Sequence, residues 1–168
     1  MDNKTNLRLY AKNIRKNLPL EIISKKAVEY LREDDLYKNS KNIMLFYPTK
    51  NEINLLEILQ DDKNFYLPRV NGEKLDVCPY KIGDKLEKSD FGIMEPVCLP
   101  VSKEVLDLVI VPALMIDSAN YRLGYGGGFY DRFISHEMKT LVVLPKELYI
   151  DNLPVENFDK KVDKVILI

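Results

Sequence analysis

The stretch Leu106-Asp-Leu-Val-Ile-Val-Pro112 is the most strand-like run of the chain, and the glycine-rich segment Arg122-Leu-Gly-Tyr-Gly-Gly-Gly-Phe-Tyr-Asp131 follows it. Apolar and β-branched residues bounded by a proline favour a buried strand. The glycines lead into residues 128–137, which we predict to be helical. A strand, a loop and a helix in this order are typical of an α/β protein.

The rest of the chain alternates helical and strand-like segments. Apolar spacing predicts helices over 2–18 and 21–37, and the segment 52–60 is also predicted to be helical. Short apolar runs predict strands at 42–47, 65–67, 75–80, 106–111, 140–144 and 162–168, whereas 81–104 is predicted to be irregular. This alternation predicts a single domain over residues 1–168, a three-layer α/β/α sandwich around a mostly parallel central sheet. Ligands of such sheets bind beyond the carboxyl ends of the strands.

Composition excludes several classes of protein. The chain has 168 residues, of which 46% are hydrophobic and 30% charged, the balance of an ordinary globular domain. Its formal net charge of −1 argues against a general nucleic-acid binder. No segment has the ~18 consecutive apolar residues of a membrane span, and the N-terminus lacks the apolar core of a signal peptide. Cys78 and Cys98 show no CxxC spacing, which argues against a zinc ribbon or a disulfide framework. We therefore expect a cytoplasmic enzyme or binding protein.

The glycine-rich segment is the strongest functional signal. Four of the seven glycines fall within residues 124–128. Glycine leaves backbone N–H groups accessible, so a loop of this kind before a helix suits a phosphate group, and Arg122 adds a bidentate donor. The spacing is neither a Walker A motif nor GxGxxG, because no Gly-Lys-Ser/Thr follows and residue 129 is Phe. A flexible turn without a ligand is the alternative.

The same segment resembles the signature of the 5-formyltetrahydrofolate cyclo-ligase family, also called methenyltetrahydrofolate synthetases. Other segments match the family pattern in the right order: Lys4-Thr-Asn-Leu-Arg8, Tyr47 with Glu52-Ile53, Leu67-Pro-Arg69, Phe91-Gly-Ile-Met-Glu-Pro96, Leu153-Pro154 and Asp159-x-x-Val-Asp163. The chain departs from the pattern at Ala113 and Asn120, where Gly is usual, at Leu148, where Gln is common, and at Phe158, where His is common.

The resemblance implies an ATP- and Mg²⁺-dependent enzyme that converts 5-formyltetrahydrofolate to 5,10-methenyltetrahydrofolate and releases ADP and phosphate. The formyl oxygen is phosphorylated and N10 then attacks the activated carbon. By the same resemblance, Lys4, Arg8 and Arg122 are catalytic and bind ATP. The rest of the implied ATP site is Leu123, Gly124, Tyr125, Gly126, Gly127, Gly128, Phe129 and Tyr130. The implied folate site is Tyr47, Glu52, Tyr125, Gly126, Gly127, Gly128, Phe129 and Tyr130.

Mg²⁺ is implied at Asp131 and Asp159, with Asp163 the less favoured partner, since this ion prefers carboxylate oxygens. The macrodipole of a helix that begins near Asp131 is an alternative reason for a carboxylate there. Glu52 is alternatively an ordinary carboxylate at a helix start. Tyr47 is alternatively a core aromatic residue, and the same holds for Tyr130.

The basic residues of the first predicted helix have a structural alternative as well. Lys4 and Arg8 lie one helical turn apart, so their side chains share a face, but a solvated basic stripe explains the spacing equally simply. For Lys12, Arg15 and Lys16 the solvated stripe is the preferred interpretation. The only histidine, His136, is interpreted as a surface residue.

Two other functions compete with the cyclo-ligase. One is a non-catalytic folate- or nucleotide-binding protein of the same fold. The other is a sugar-phosphate isomerase or a CoA-transferase-like enzyme, an analogy that rests on fold alone. The complete set of expected charged residues favours a catalytic protein, and ATP consumption separates a ligase from an isomerase. The expected partners are small molecules, with no nucleic acid or membrane, and the expected state is a monomer.

Overall fold

The computed structural model describes residues 3–135 and 137–168, so the interpretation of His136 lies outside the described residues. The α-helices are α1 Lys4–Lys16, α2 Leu20–Glu33, α3 Asp35–Asn39 and α4 Phe129–Phe133. Short 3-10 helices span Leu56–Gln60, Lys103–Val105 and Lys146–Leu148. Within the described ranges, no helix is long and apolar enough to cross a bilayer.

The strands form a large central sheet and two small sheets. They are β1 Asn42–Met44, β2 Asn64–Asn71, β3 Lys74–Pro79, β4 Leu86–Lys88, β5 Met94–Pro96, β6 Leu108–Ile110, β7 Met115–Asp117, β8 Arg122–Leu123, β9 Lys139–Leu144, β10 Tyr149–Ile150 and β11 Lys164–Leu167. The central sheet has the order β11-β9-β6-β1-β2-β3. Its strands are parallel except for the edge strand β3, which pairs antiparallel with β2, so the predicted mostly parallel sheet is confirmed.

Alternate residues of the central strands enter two separate cores, one on each face of the sheet. In β1, Ile43 belongs to one core and Met44 to the other. Helices α2 and α3 cover the face of Ile43, with Leu31 and Tyr37 almost fully buried there. The face of Met44 is covered by α1, α4 and the small sheet β10-β7-β8. The three predicted layers are therefore present, and one outer layer also contains strands.

Several predicted helix boundaries are wrong. The segment 21–37 holds two helices, because the Asp34 carboxylate accepts hydrogen bonds from the N–H groups of Leu36 and Tyr37 and starts α3. The segment 52–60 is helical only over Leu56–Gln60, as a 3-10 helix. The helix predicted at 128–137 has the bounds Phe129–Phe133.

The strand predictions missed the smallest strands and shortened another. The segment predicted as irregular, 81–104, contains the β4–β5 hairpin. The prediction ended β2 before Pro68, but the strand continues through it. Proline has no N–H to donate to a neighbouring strand. None is needed here, because the pairing of β1 with β2 ends at Met44 and Tyr66. Strands β7, β8 and β10 have two or three residues each, too few to show a periodic pattern.

Asn120 occupies a turn that needs the left-handed conformation. It has a φ of 66° in the connection between β7 and β8. Asp117 fixes this turn, because its Oδ1 accepts hydrogen bonds from the N–H groups of Ala119 and Tyr121. Asparagine tolerates this conformation better than most residues, which explains why Asn120 serves where the family pattern has Gly.

Candidate active site

The candidate site lies at the carboxyl ends of the parallel strands, as predicted. The chain leaves β6 and reaches Pro112 and Ala113, whose carbonyl oxygens accept hydrogen bonds from Arg122 and Arg15, respectively. Helix α1 and the glycine loop, residues 124–128, are therefore held against the same edge of the sheet. The glycine loop follows β6 closely in the sequence, whereas α1 comes from the other end of the domain.

The glycine loop is shaped by close contacts. Gly126 has a φ of 111°, which most L residues avoid, and it lies beside the Arg8 side chain. A Cβ atom at Gly124 would lie 2.7 Å from Nη1 of Arg122, so the glycine lets the guanidinium pass over the backbone. The loop thus lies beside two cations, Arg8 and Arg122, in a backbone conformation that needs glycine at Gly126.

Arg122 is a buried cation at the base of this loop. Its side chain is 4% exposed, its Nη2 lies 3.6 Å from Oδ1 of Asp131, and its guanidinium lies 5.5 Å from the ring centroid of Tyr130. Burial lowers the pKa of Arg122, and the nearby Asp131, Tyr130 and Asp159 partly oppose that shift. Within the described residues, Nε of Arg122 is buried without a hydrogen-bond partner. A buried donor without a partner costs free energy of folding, and a hydrogen bond to a ligand would remove that cost.

Lys4 and Arg8 both point from α1 toward this site. Nζ of Lys4 lies 2.7 Å from Oδ2 of Asp159 and 3.5 Å from Oε1 of Glu156. Nε of Arg8 donates to the carbonyl oxygen of Gly124 at 2.8 Å. The solvated-stripe interpretation is therefore wrong for these two residues, although the contacts by themselves do not assign them a ligand.

An open cavity of about 580 Å³ lies between α1, the glycine loop and the C-terminal segment. Phe158 lies at its rim with 60% of its surface exposed, and the Lys4 ammonium is 5.5 Å from the ring centroid. Cationic, backbone and aromatic groups thus surround one space. The lining residues are Asn3, Lys4, Thr5, Arg8, Gly126, Pro154, Glu156 and Phe158.

The two carboxylates expected to hold a metal lie near each other in the fold. Oδ1 of Asp131 accepts a hydrogen bond from the N–H of Lys160, the residue after Asp159. Asp163 is elsewhere, because its carboxylate binds the backbone and hydroxyl of Thr140 at the amino end of β9. Among the described residues, no group of three or more His, Cys, Asp or Glu side chains is arranged to hold a metal ion.

Glu52 is buried, with 8% of its surface exposed, and does not start a helix. Its Oε1 accepts a hydrogen bond from the N–H of Thr49 at 2.9 Å. The carboxylate also faces two tyrosines of the loop region: burial raises the pKa of Tyr125 and of Tyr130, and the Glu52 charge raises both further. The structure therefore brings Glu52 to the glycine loop.

Tyr47 is placed differently from the other expected folate residues. It is half-buried against the core on the α2 face. Burial raises the pKa of Tyr80, and the charge of a nearby ionised Tyr47 would raise it further. Tyr130 packs against the opposite core, with its ring edge-to-face with Phe133. Leu148, where a polar residue is common in the family, is fully buried in that second core.

Arg15 contacts the glycine loop, which sequence reasoning missed. It is 5% exposed, and its Nη1 donates to the Tyr125 hydroxyl at 2.6 Å, so its assignment to a solvated stripe is wrong. Lys12 and Lys16 are exposed, as expected. The spacing held a signal, since Leu7, Ala11 and Arg15 repeat every four residues on the buried face of α1.

The exposed β4–β5 hairpin also reaches the site. Phe91 in its turn packs edge-to-face with Phe129, with the ring centroids 6.2 Å apart. Because the segment 81–104 is predicted to be irregular, the sequence gives no position for Phe91 relative to the loop. The hairpin thus borders the glycine loop on the side of Phe129.

Comparisons with known proteins agree on one kind of relative. A family model described as the 5-formyltetrahydrofolate cyclo-ligase family matches residues 2–168. A 5-formyltetrahydrofolate cyclo-ligase of Haemophilus influenzae is 30% identical over 138 residues, covering 73% of both chains. The enzyme of that name from Mus musculus is 29% identical, covering 77% of this chain and 74% of its own.

Solved structures show the same similarity. The 5,10-methenyltetrahydrofolate synthetase of Aquifex aeolicus superposes with a TM-score of 0.85 at 31% identity, covering 98% of this chain and 89% of its own. A synthetase of the same name from Mycoplasma pneumoniae has a TM-score of 0.70 at 21% identity, a similarity that concerns the fold alone.

Proposed function

Since the chain belongs to the 5-formyltetrahydrofolate cyclo-ligase family, whose members are ligases, we propose that it uses Mg²⁺ and ATP to close 5-formyltetrahydrofolate to 5,10-methenyltetrahydrofolate. ADP and phosphate are the other products. The γ-phosphoryl group moves to the formyl oxygen, N10 attacks the activated carbon, and phosphate leaves. The protein's task is to align the two substrates and to compensate phosphate charge.

One observation carries the nucleotide part of this proposal. Lys4, Arg8 and Gly126 of the glycine loop border a single open cavity, although they are distant in the sequence. Arg122 is buried beside this loop with its Nε unpartnered among the described residues. Phosphate oxygens are the ligands that cationic side chains and exposed loop N–H groups bind best.

The same cations have a role in the transfer itself. A cation near the transferring phosphoryl group stabilises charge that develops in the transition state, and holding the two reactants in line is worth ~7–11 kcal/mol. We assign Arg8 and Arg122 to this stabilisation because both side chains lie against Gly124. Lys4 is assigned to the phosphates near the mouth of the cavity, beside Asp159.

The folate part rests on Glu52. A buried carboxylate offers a pair of acceptor oxygens, which matches the adjacent N–H donors of a pterin ring. The Glu52 charge raises the pKa of Tyr125 and of Tyr130, so a pterin held by Glu52 would lie near the nucleotide loop. Phe129 and Tyr47 remain proposed contacts for the rings of the substrate.

We propose Asp131 and Asp159 as the residues that hold a magnesium ion. Both are carboxylates, and Asp131 accepts a hydrogen bond from the N–H of Lys160, the residue after Asp159. Asp131 lies beside Arg122 and Asp159 beside Lys4, two of the basic residues assigned to phosphate. Mg²⁺ is commonly held by one or two carboxylates together with substrate phosphates and waters, so a larger protein cage is not required. When bound, the ion would compensate phosphate charge, and these two residues would orient it.

A direct assay tests the proposal against its alternatives. Incubation with 5-formyltetrahydrofolate and Mg²⁺-ATP should produce the near-ultraviolet absorbance of the methenyl product, and omitting ATP should abolish it. Binding of either ligand without turnover would instead support the non-catalytic protein of the same fold. Turnover of a sugar phosphate without ATP would support an isomerase. We also propose that the chain acts as a cytoplasmic monomer, since one chain supplies every residue assigned above.

A further inference from the structure

Arg15 is a buried charge in the last turn of α1. It is 5% exposed, its Nη1 donates to the hydroxyl of Tyr125 at 2.6 Å, and its Nη2 donates to the carbonyl oxygen of Ala113. Burying a guanidinium is costly, and both of these hydrogen-bond partners are neutral. A leucine or methionine at this position would fill the same space without that cost, so packing alone does not explain an arginine here.

The Tyr125 hydroxyl accepts a hydrogen bond from Arg15, and the Glu52 carboxylate acts on the same hydroxyl. Burial and the Glu52 charge raise the pKa of Tyr125, and the Arg15 charge partly opposes that shift. The phenol therefore keeps its proton at neutral pH. Because its oxygen accepts a hydrogen bond from Arg15, the O–H remains available to donate toward Glu52.

This arrangement joins three parts of the site. Arg15 belongs to α1, which also carries Lys4 and Arg8; Tyr125 belongs to the glycine loop; and Glu52 follows β1. We propose that Arg15 is a positioning residue that acts through the Tyr125 hydroxyl, so that ordering of the glycine loop by nucleotide also orients Glu52 for the folate. This inference rests on the proposed function, with nucleotide at the loop and folate at Glu52.

The consequence is thermodynamic coupling between the two ligands. If the bound nucleotide fixes the loop, Tyr125 is fixed as well, and part of the ordering cost of the folate site is already met. Nucleotide should therefore tighten folate binding, and folate should tighten nucleotide binding by the same factor. Lysine at position 15 cannot reproduce two donors in a rigid plane, so Arg15→Lys should lose the coupling although it keeps the charge.

Calorimetry tests the proposal. The dissociation constant of 5-formyltetrahydrofolate is measured with and without Mg²⁺-ADP for the unmodified chain, Arg15→Lys, Tyr125→Phe, the double variant and Lys16→Ala. We expect ADP to tighten folate binding by a factor in the usual range of about 5–150 for the unmodified chain and for Lys16→Ala. Each single variant should bring that factor close to 1. The double variant should lose no more than Tyr125→Phe alone, because both changes remove one interaction.

The outcomes separate this inference from the proposed function. Full coupling in Arg15→Lys and Tyr125→Phe would overturn the positioning role. Equal weakening of folate binding with and without ADP in those variants would also overturn it, since that pattern marks a structural role. Failure of the unmodified chain to bind folate or ADP would instead contradict the proposed function. Tyr125→Phe removes a single oxygen, and its melting temperature reports whether that variant is folded.

Discussion

The side chain of Arg8 donates through Nε to the carbonyl oxygen of Gly124, 2.8 Å away and 116 positions later in the chain. The contact ties the first helix to the glycine loop and places a cation beside Gly126, whose φ of 111° turns the backbone at that point. A helix near a chain end is often poorly ordered unless it is tied down. Here the contact that orders α1 is made with the glycine loop, which is the candidate nucleotide site.

Replacing Arg8 should therefore impair ATP use. We expect Arg8→Ala to raise KM for ATP and lower kcat, together roughly 10- to 150-fold in kcat/KM, the range for ~1.5–3 kcal/mol of charged hydrogen bonding. Lys12→Ala, one turn later and exposed, is the matched control and should be nearly silent. Steady-state kinetics with varied ATP and a thermal melt measure both variants. Equal and small effects would remove α1 from the active site.

The sequence contained enough information for the central sheet and the glycine loop. The run at Leu106–Val111 identified a strand buried on both faces, because nearly every residue in it is apolar. The small sheet formed by β7, β8 and β10 was invisible, since two or three residues cannot show a period and their pairing is set by tertiary contacts. The predicted helix ends are wrong where a side chain such as Asp34 caps the backbone.

The candidate site was predictable where a motif is local. The loop 122–131 is contiguous, so its residues could be named together. Arg15 could not be recognised in the same way, because its partner Tyr125 is 110 positions away and charge alone suggested solvent. Its spacing from Leu7 and Ala11 was the one local sign of burial, and a single sequence offers no way to pair it with the loop.

Asp131 should be needed for magnesium use far more than for folding. Asp131→Asn keeps the volume and an oxygen that can accept from the N–H of Lys160, but it removes the charge beside the buried Arg122, so the melting temperature should fall while the chain still folds. Loss of the charge should lower turnover by at least about 10²-fold and raise the Mg²⁺ concentration needed for half-maximal rate. The check is initial rate against Mg²⁺ concentration.

Asp163→Asn is the matched control for Asp131. The Asp163 carboxylate accepts hydrogen bonds from the backbone N–H and the hydroxyl of Thr140. Asp163→Asn should therefore lower the free energy of unfolding by about 1 kcal/mol. Its magnesium dependence should equal that of the unmodified chain. If Asp163→Asn shifts the magnesium curve and Asp131→Asn does not, the two assignments must be exchanged.

Cys78 should make the fold less stable at alkaline pH. Burial raises the pKa of its thiol from 9.0 to about 11, so the folded state holds this proton more tightly than the unfolded state. The resulting stabilisation is complete below pH 9 and is lost as pH rises toward 11; at ~1.4 kcal/mol per pKa unit it amounts to about 2–3 kcal/mol. Urea unfolding at pH 8 and pH 10.5 measures it. Cys78→Ala should lose less stability over that interval. Cys98→Ala should reduce the loss only slightly, because burial is the main cause of the raised pKa of Cys78 and Cys98 is a lesser one.

Glu52 should act on folate and leave ATP binding largely unchanged. Glu52→Gln keeps the side-chain volume and an oxygen for the N–H of Thr49, but it removes the charge and replaces one acceptor oxygen with a donor. A pterin N–H that met the carboxylate then meets an NH₂ group. We expect KM for 5-formyltetrahydrofolate to rise roughly 10- to 150-fold, which corresponds to the ~1.5–3 kcal/mol of a charged hydrogen bond.

The matched control for this change is Glu57→Gln, at an exposed carboxylate that pairs with Arg32 far from the loop. It should leave both KM values unaltered, because a surface ion pair contributes ~0–1 kcal/mol and touches neither ligand. Kinetics with each substrate varied in turn distinguish the two sites. Equal increases in KM for ATP and for the folate in Glu52→Gln would mean that Glu52 supports the glycine loop through Tyr125 and does not bind the pterin. An increase confined to the folate identifies the carboxylate as the pterin's acceptor.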